Sequence, residues 1–241
     1  MKTLVVFDFD YTVVDDNSDT WVIRSTPDQS LPDCLKQSYQ RGRWTEYMGR
    51  VLTYIGDQSV HPDHVRAVME SIPFTKGMIE VLTFISENKK DIDCIIVSDS
   101  NTLFIDWILH ASGVKSAIDD VFSNPASIDS RGYMSVRCFH AHDCQQCPIN
   151  LCKRKVLHDF REHQDKAGVQ YQRICYVGDG GNDLCPIKDL KEGDIAMPRK
   201  GFTLEKLLCK ARTEGSTTFR AKIVPWDSGN VILQEIRALI E

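Results

Sequence analysis

Leu4-Val5-Val6-Phe7-Asp8-Phe9-Asp10-Tyr11-Thr12 decides how this chain is read. Leu4 to Phe7 is a short uncharged run, β-branched in its middle, and it stops at an acid. That is the pattern of a strand buried on both faces of a parallel sheet. Cys94 to Val97, Ile174 to Val177 and Ile223 to Val224 have the same character. Helices are expected over about Met78 to Asn88, Asn101 to Ser112, Lys153 to Gln164, Leu204 to Arg212 and Ser228 to Ile240. Strands alternating with helices predict an α/β fold, a doubly wound parallel sheet. Ligands of such sheets bind beyond the carboxyl ends of the strands. Three of those ends are polar: Asp8-Phe9-Asp10, Ser98-Asp99-Ser100 and Gly178-Asp179-Gly180-Gly181-Asn182-Asp183. The topology sends all three to one crevice.

Residues 17–72 break the alternation. Trp21, Leu31, Leu35, Tyr39, Trp44, Tyr47, Met48, Val51, Leu52 and Ile55 recur at roughly helical spacing. They predict a small inserted helical cap over the crevice, and Pro73-Phe74 with Gly77 return the chain to the sheet. The expected division is a catalytic core of residues 1–16 and 73–241 and a cap of residues 17–72. With 241 residues, 42% hydrophobic and 26% charged, the chain is long enough for a packed core with an insertion. Its net charge of −5 argues against nucleic acid as a partner. No apolar stretch reaches the roughly 18 residues of a membrane span, which argues against a membrane partner. The run after Met1 is too short for a signal peptide. A cytoplasmic protein is the expectation, and the sequence is silent on oligomeric state.

The acids at the strand ends suggest phosphate chemistry. One of Asp8 and Asp10 can attack phosphorus while the other protonates the leaving oxygen and then activates water. Close carboxylates repel, so a cation is needed to keep the nucleophile ionised. Asp179 can supply a further oxygen ligand, and Mg²⁺ suits so few carboxylates. The phosphoryl oxygens call for donors and positive charge. Ser98 can give a hydroxyl hydrogen bond, and Lys153 or Lys155 the charge. Taken singly, each acid reads as an ordinary loop residue and each lysine as a solvated helix face; their convergence carries the reading. The expected partner is a small phosphorylated metabolite.

D-F-D-Y-T at 8–12, I-I-V-S-D-S at 95–100, C-K-R-K-V-L at 152–157 and V-G-D-G-G-N-D at 177–183 stand in order across almost the whole chain. Together they resemble the haloacid dehalogenase superfamily of phosphatases. The resemblance implies that Asp8 forms an aspartyl-phosphate and that Asp10 is the general acid and base. It implies Mg²⁺ on Asp8, Asp179 and the main-chain carbonyl of Asp10, with Asn182 and Asp183 ordering those ligands. It gives phosphate binding to Ser98 and to Lys153, which comparison with phosphoserine phosphatases favours over Lys155. D-D-N-S-D-T-W at 15–21, S-D-S-N at 98–101, C-P-I-N-L-C-K at 147–153 and A-M-P-R-K-G at 196–201 narrow the branch. They resemble phosphatases of pyridoxal phosphate and of phosphoethanolamine or phosphocholine. Chain length and the bare N-terminus look more like the pyridoxal phosphate members.

In that branch Asp19 and Asp99 stand where substrate selection is implied. The aromatics Trp21, Trp44 and Tyr47 either pack on a pyridine ring or form the core of the cap. Tyr47-Met48-Gly49-Arg50-Val51 keeps one of two arginines paired in phosphoserine phosphatases and puts Met48 at the other, so phosphoserine is expected to be poor. A rival of another class is a phosphate sensor or scaffold without turnover. The intact Asp8, Asp10, Ser98, Lys153 and Asp179 argue against it.

The chain has nine cysteines, an odd number, and reduced thiols are expected at Cys34, Cys94, Cys175, Cys185 and Cys209. Cys138, His140, His142, Cys144, Cys147 and Cys152 crowd together. Cys144-x-x-Cys147, with Cys152 and a nearby His, has the ligand types of a tetrahedral zinc site. Against zinc stands the presence of only one C-x-x-C. Partly buried thiols and redox regulation are the other readings.

Overall fold

The structure is a computed structural model that describes residues 2–215 and 218–240. Its strands are β1 (Lys2–Phe7), β2 (Ile92–Asn101), β3 (Asp120–Asn124), β4 (Ala126–Ile128), β5 (Met134–Val136), β6 (Tyr171–Gly178), β7 (Ile195–Pro198) and β8 (Lys222–Ile223). Six form one parallel sheet in the order β3-β2-β1-β6-β7-β8, and β4 pairs antiparallel with β5 outside it. The chain steps outward from β1 through β2 to β3, returns, and steps outward the other way from β6. The reversal falls between β1 and β6, the place where a doubly wound sheet opens a ligand crevice.

Successive strand residues point to opposite faces, and both faces are apolar. Val5, Phe7, Cys94, Ile96, Cys175 and Val177 pack with α5 (Met78–Glu87), α6 (Thr102–Ala111) and α10 (Gly229–Ile240). Leu4, Val6, Ile95, Val97, Ile174 and Tyr176 pack with α7 (Lys153–Lys166), α8 (Leu184–Ile187) and α9 (Thr203–Thr213). Each fully buried aliphatic or Phe side chain contributes about 1.5–3 kcal/mol.

Leu4 to Phe7, Cys94 to Val97 and Ile174 to Val177 each lie on a strand, and the five expected helices hold to within two residues at either end. The last strand is Lys222–Ile223 rather than Ile223 to Val224, although Val224 N still donates to Ala196 O at 2.9 Å. β3 and β7 were not read from the sequence. Asp120-Val121-Phe122-Ser123-Asn124 is polar at both ends, and Ile195–Pro198 is short and stops at proline. Their neighbours in the sheet make them strands.

Between β1 and β2 come α1 (Ser18–Trp21), a 3-10 turn (Val22–Ser25), α2 (Asp33–Gln37), α3 (Trp44–Asp57) and α4 (Pro62–Glu70). Met48, Val51, Leu52 and Ile55 of α3 and Val65 and Met69 of α4 are buried in the same apolar cluster as α6 and Met134 of β5. Tyr133 donates its hydroxyl to Asp57 Oδ1 at 2.9 Å. Its ring lies over Gly56, where a Cβ would come within 2.6 Å. The inserted helices are thus anchored on the β4–β5 hairpin and on α6. Among the described residues, no helix is long and apolar enough to cross a membrane.

Candidate active site

Asp8 is the first residue beyond β1, and its N–H still donates to Val177 O of β6 at 2.9 Å. Its Oδ1 accepts from Phe9 N at 2.7 Å, and its Oδ2 lies 2.7 Å from Lys153 Nζ. Lys153 opens α7, is wholly buried, and also donates to Asp183 Oδ1 at 2.8 Å. The same Asp183 oxygen accepts from the Tyr176 hydroxyl at 2.7 Å. Asp183 Oδ2 accepts from Asp179 N at 3.1 Å and Gly180 N at 2.9 Å. The turn after β6 therefore folds back on itself. Gly178 makes that possible, because a Cβ there would sit 2.5 Å from the Asp183 carboxylate.

Asp8, Asp179 and Asp183 bring carboxylate oxygens within 4.8 Å of one another, all buried. Burial first, then the charge of Asp183, push the Asp8 carboxyl well above its ordinary value, while Lys153 opposes them. Asp179 is pushed up to about 7 by burial and by Asp183, again against Lys153. Burial alone would lower Lys153, but Asp183 and Asp8 outweigh it and hold the ammonium charged. Three acids facing one lysine leave negative charge that suits a hard dication. Asp183 already accepts from four donors, so Asp8 and Asp179 are the carboxylates with room for one.

The wall beside this cluster is also acidic. Asp10 Oδ1 accepts from Ser18 N at 2.9 Å and Oδ2 from Asn17 Nδ2 at 3.2 Å. Burial, then the charge of Asp19, push Asp10 up to about 7, against the Ser18 bond. Asp19 is buried in α1 and accepts from Trp44 Nε1 at 2.6 Å. It too is pushed up to about 7, by burial first, with the Trp44 bond opposing and Asp99 adding. Asp99 is held by two amides, Asn150 Nδ2 at 3.0 Å and Asn182 Nδ2 at 2.6 Å. Ser98 is buried, and its Oγ accepts from Ser100 N at 3.1 Å, which leaves its hydrogen free to donate. Ser100 and Ser18 share a 2.6 Å hydroxyl contact that ties β2 to α1.

Other residues singled out in the sequence lie elsewhere. Lys155 is exposed and pairs with Asp159 at 2.9 Å. Arg50 is exposed and donates to Ser38 Oγ and O at 3.1 and 2.8 Å. Trp21 donates to Val68 O at 2.9 Å, with the Arg24 guanidinium 3.6 Å from its ring centroid. Trp44 packs with Tyr39 and Tyr47 at 5.7 and 5.4 Å, and its N–H reaches Asp19.

Tyr176, Asn150, Asn124, Ser18 and Arg199 were not anticipated. Tyr176 carried a signal, since a tyrosine in a buried strand needs a partner for its hydroxyl. Asn124 donates to the carbonyls of Asp99 and Ser100 at 2.7 and 3.0 Å, and only the register of β3 brings it there. Arg199 donates to Tyr11 O at 2.6 Å and pairs with Asp15, bracing the loop in which Tyr11 sits at φ 54°.

The cysteines differ from expectation in one respect. Cys144, Cys147 and Cys152 do converge, but the fourth group is Cys185 of α8, not a histidine. His140 Nε2 accepts from Cys152 N at 3.0 Å, and His142 Nε2 bonds Pro148 O at 2.8 Å. Packing of α8 against α7 delivers Cys185, a contact that sequence spacing does not encode.

Sheet order, switch point and acid-bearing strand ends define a haloacid dehalogenase-like fold. A solved substrate-bound phosphoserine phosphatase complex shares the fold, with a TM-score of 0.61 at 15% identity over 100% of this chain and 99% of its own. The family model described as "Putative Phosphatase" matches residues 3–240, and the chain belongs to that phosphatase family. It is 50% identical to the pyridoxal phosphate phosphatase PHOSPHO2 of Mus musculus over 241 residues, all of both chains. To the phosphoethanolamine/phosphocholine phosphatase of Homo sapiens it is 41% identical over 94% of this chain and 85% of that one.

Proposed function

We propose that this phosphatase hydrolyses pyridoxal 5′-phosphate through an aspartyl-phosphate on Asp8. The chemistry rests above all on the buried contact of Asp8 with a charged Lys153, beside an Asp10 that titrates near neutrality. An Asp8 oxygen bonds to phosphorus as the ester P–O bond breaks, and Asp10 gives its proton to the departing oxygen. Water then attacks phosphorus, Asp10 takes its proton, and the bond to Asp8 breaks to release inorganic phosphate. A pKa near the working pH suits a group that must do both. Lys153 and Ser98 hold the phosphoryl oxygens. Asp8, Asp179 and the Asp10 carbonyl would hold Mg²⁺, which supplies charge against the carboxylates and the phosphate. Asp183 and Asn182 order these groups, and residues 17–72 cap the crevice. The protein is read as cytoplasmic.

The choice of substrate rests on the end-to-end 50% identity to an enzyme named for pyridoxal phosphate. The facing acids Asp19 and Asp99 favour a second reading, because they also suit the cationic headgroup of phosphoethanolamine or phosphocholine. Parallel kcat/KM measurements on pyridoxal phosphate, phosphoethanolamine, phosphocholine and phosphoserine decide between them. Pyridoxal phosphate is expected to be best and phosphoserine worst. A tenfold advantage for either amine ester, about 1.4 kcal/mol, transfers the assignment to it. Excess EDTA is expected to abolish all four activities and Mg²⁺ to restore them. Ca²⁺ should not, because its larger, looser coordination spoils in-line attack. Full activity in EDTA after dialysis sinks the metal assignment.

Asp19→Asn is expected to stabilise the metal-free protein in a pH-dependent way. The folded-state pKa of Asp19 is raised to about 7, above the ordinary carboxylate value near 4. The penalty is absent below about pH 4, grows as pH rises toward 7, and is constant above. The variant should match wild type in melting temperature near pH 4 and exceed it at pH 8. The gain is on the order of a few kcal/mol. Melting curves at both pH values test this, and an equal difference at the two would refute it.

A further inference from the structure

Residues 137–152 carry no helix or strand, and none of 137–149 is buried. Its apolar anchoring is confined to Leu151 at its end and to Phe139, which is half-buried against Phe122, so little of 140–149 is ordered by apolar burial. Irregular segments of such length are uncommon without a function or a clamp. Yet it ends on Asn150, which holds Asp99, and on Cys152, the residue before Lys153. Its one dense set of side chains is Cys144, Cys147 and Cys152, which meet Cys185 with all four sulfurs within 4.8 Å.

We propose that Cys144, Cys147, Cys152 and Cys185 form a closed tetrathiolate site for a structural Zn²⁺ ion. Zinc–sulfur bonds of about 2.3 Å put the sulfurs of a tetrahedron about 3.8 Å apart. Cys144 Sγ and Cys185 Sγ are 3.8 Å apart, and all nine cysteines are free thiols. Arg154 lies within electrostatic reach of Cys185, Cys144 and Cys152 and offsets the net charge of about −2 that four thiolates and Zn²⁺ carry. Binding releases the thiol protons to solvent and changes no oxidation state. Four protein ligands leave no open position, so the ion clamps and does not catalyse. What it clamps is the loop that delivers Asn150 and Lys153 onto α8, which follows Asp183 directly. The site is independent of the substrate and of Mg²⁺.

The full-length protein, purified without added metal or chelator, should carry close to one zinc per chain after dialysis by elemental analysis. Cys185→Ser should lower occupancy at least tenfold, whereas the exposed controls Cys34→Ser and Cys209→Ser should retain it. Should Cys185→Ser fail to fold, the wild-type protein still gives an answer. Mercurial modification should then release one zinc as four thiols react, and cobalt exchange should give sulfur-to-metal charge-transfer bands of a tetrathiolate. Removing the metal should also raise hydrogen exchange in 137–152. Zinc below a tenth per chain, or a disulfide among these four cysteines in freshly purified protein, overturns the proposal.

Discussion

Replacing Asp8 with Asn is expected to lower turnover by about 10³-fold or more, the scale on which loss of a nucleophile is felt. The amide is nearly isosteric but cannot attack phosphorus. Folding should not suffer. The folded state holds the Asp8 carboxyl well above its ordinary value, through burial and Asp183. An acid with a raised folded pKa destabilises at every pH above its unfolded value, and the penalty grows until the folded group ionises. Asn removes that penalty and keeps an acceptor for Phe9 N, which donates at 2.7 Å. Metal-free Asp8→Asn should melt no lower than wild type at neutral pH. Steady-state hydrolysis with a parallel thermal melt tests both claims. More than a tenth of wild-type activity in folded protein would remove Asp8 from its role.

Lys153→Met should combine loss of activity with loss of stability. The ammonium is wholly buried between Asp8 at 2.7 Å and Asp183 at 2.8 Å. Removing one partner of a buried ion pair costs about 3–5 kcal/mol, because the other charge stays buried and unpaired. Here two carboxylates are left so. Denaturant unfolding should show a lower midpoint, and hydrolysis should fall with it. Lys155→Met, two residues along the same helix but exposed, should stay within about 0.5 kcal/mol of wild type. A Lys153→Met protein as stable and active as Lys155→Met would show that the buried contact does neither job. Adding Asp8→Asn should recover part of the stability but none of the turnover, which separates the two roles of the lysine.

Much of this protein is legible in the chain itself. Buried parallel strands must be apolar on both faces, so Leu4 to Phe7, Cys94 to Val97 and Ile174 to Val177 stand out as runs. The polar residues that stop them lie at the carboxyl ends, where a doubly wound sheet binds ligands. Asp8, Ser98 and Asp179 thus point to one crevice from the sequence alone, because connections between parallel strands obey general rules of handedness. Tertiary structure decided what local spacing cannot carry. A short run such as Ile195–Pro198 becomes a strand by pairing with β6 on one side and β8 on the other. Lys153 rather than Lys155 reaches Asp8, because the phase of α7 buries the one and exposes the other. Asn150 and Asn182 meet on Asp99, although they lie 51 and 83 residues from it in the chain. Cys185, 41 residues beyond Cys144, takes the place expected of a histidine. Chain connectivity dictates which residues end a strand. Contacts between distant segments depend on how helices pack across the sheet, and that packing is a property of the whole folded chain.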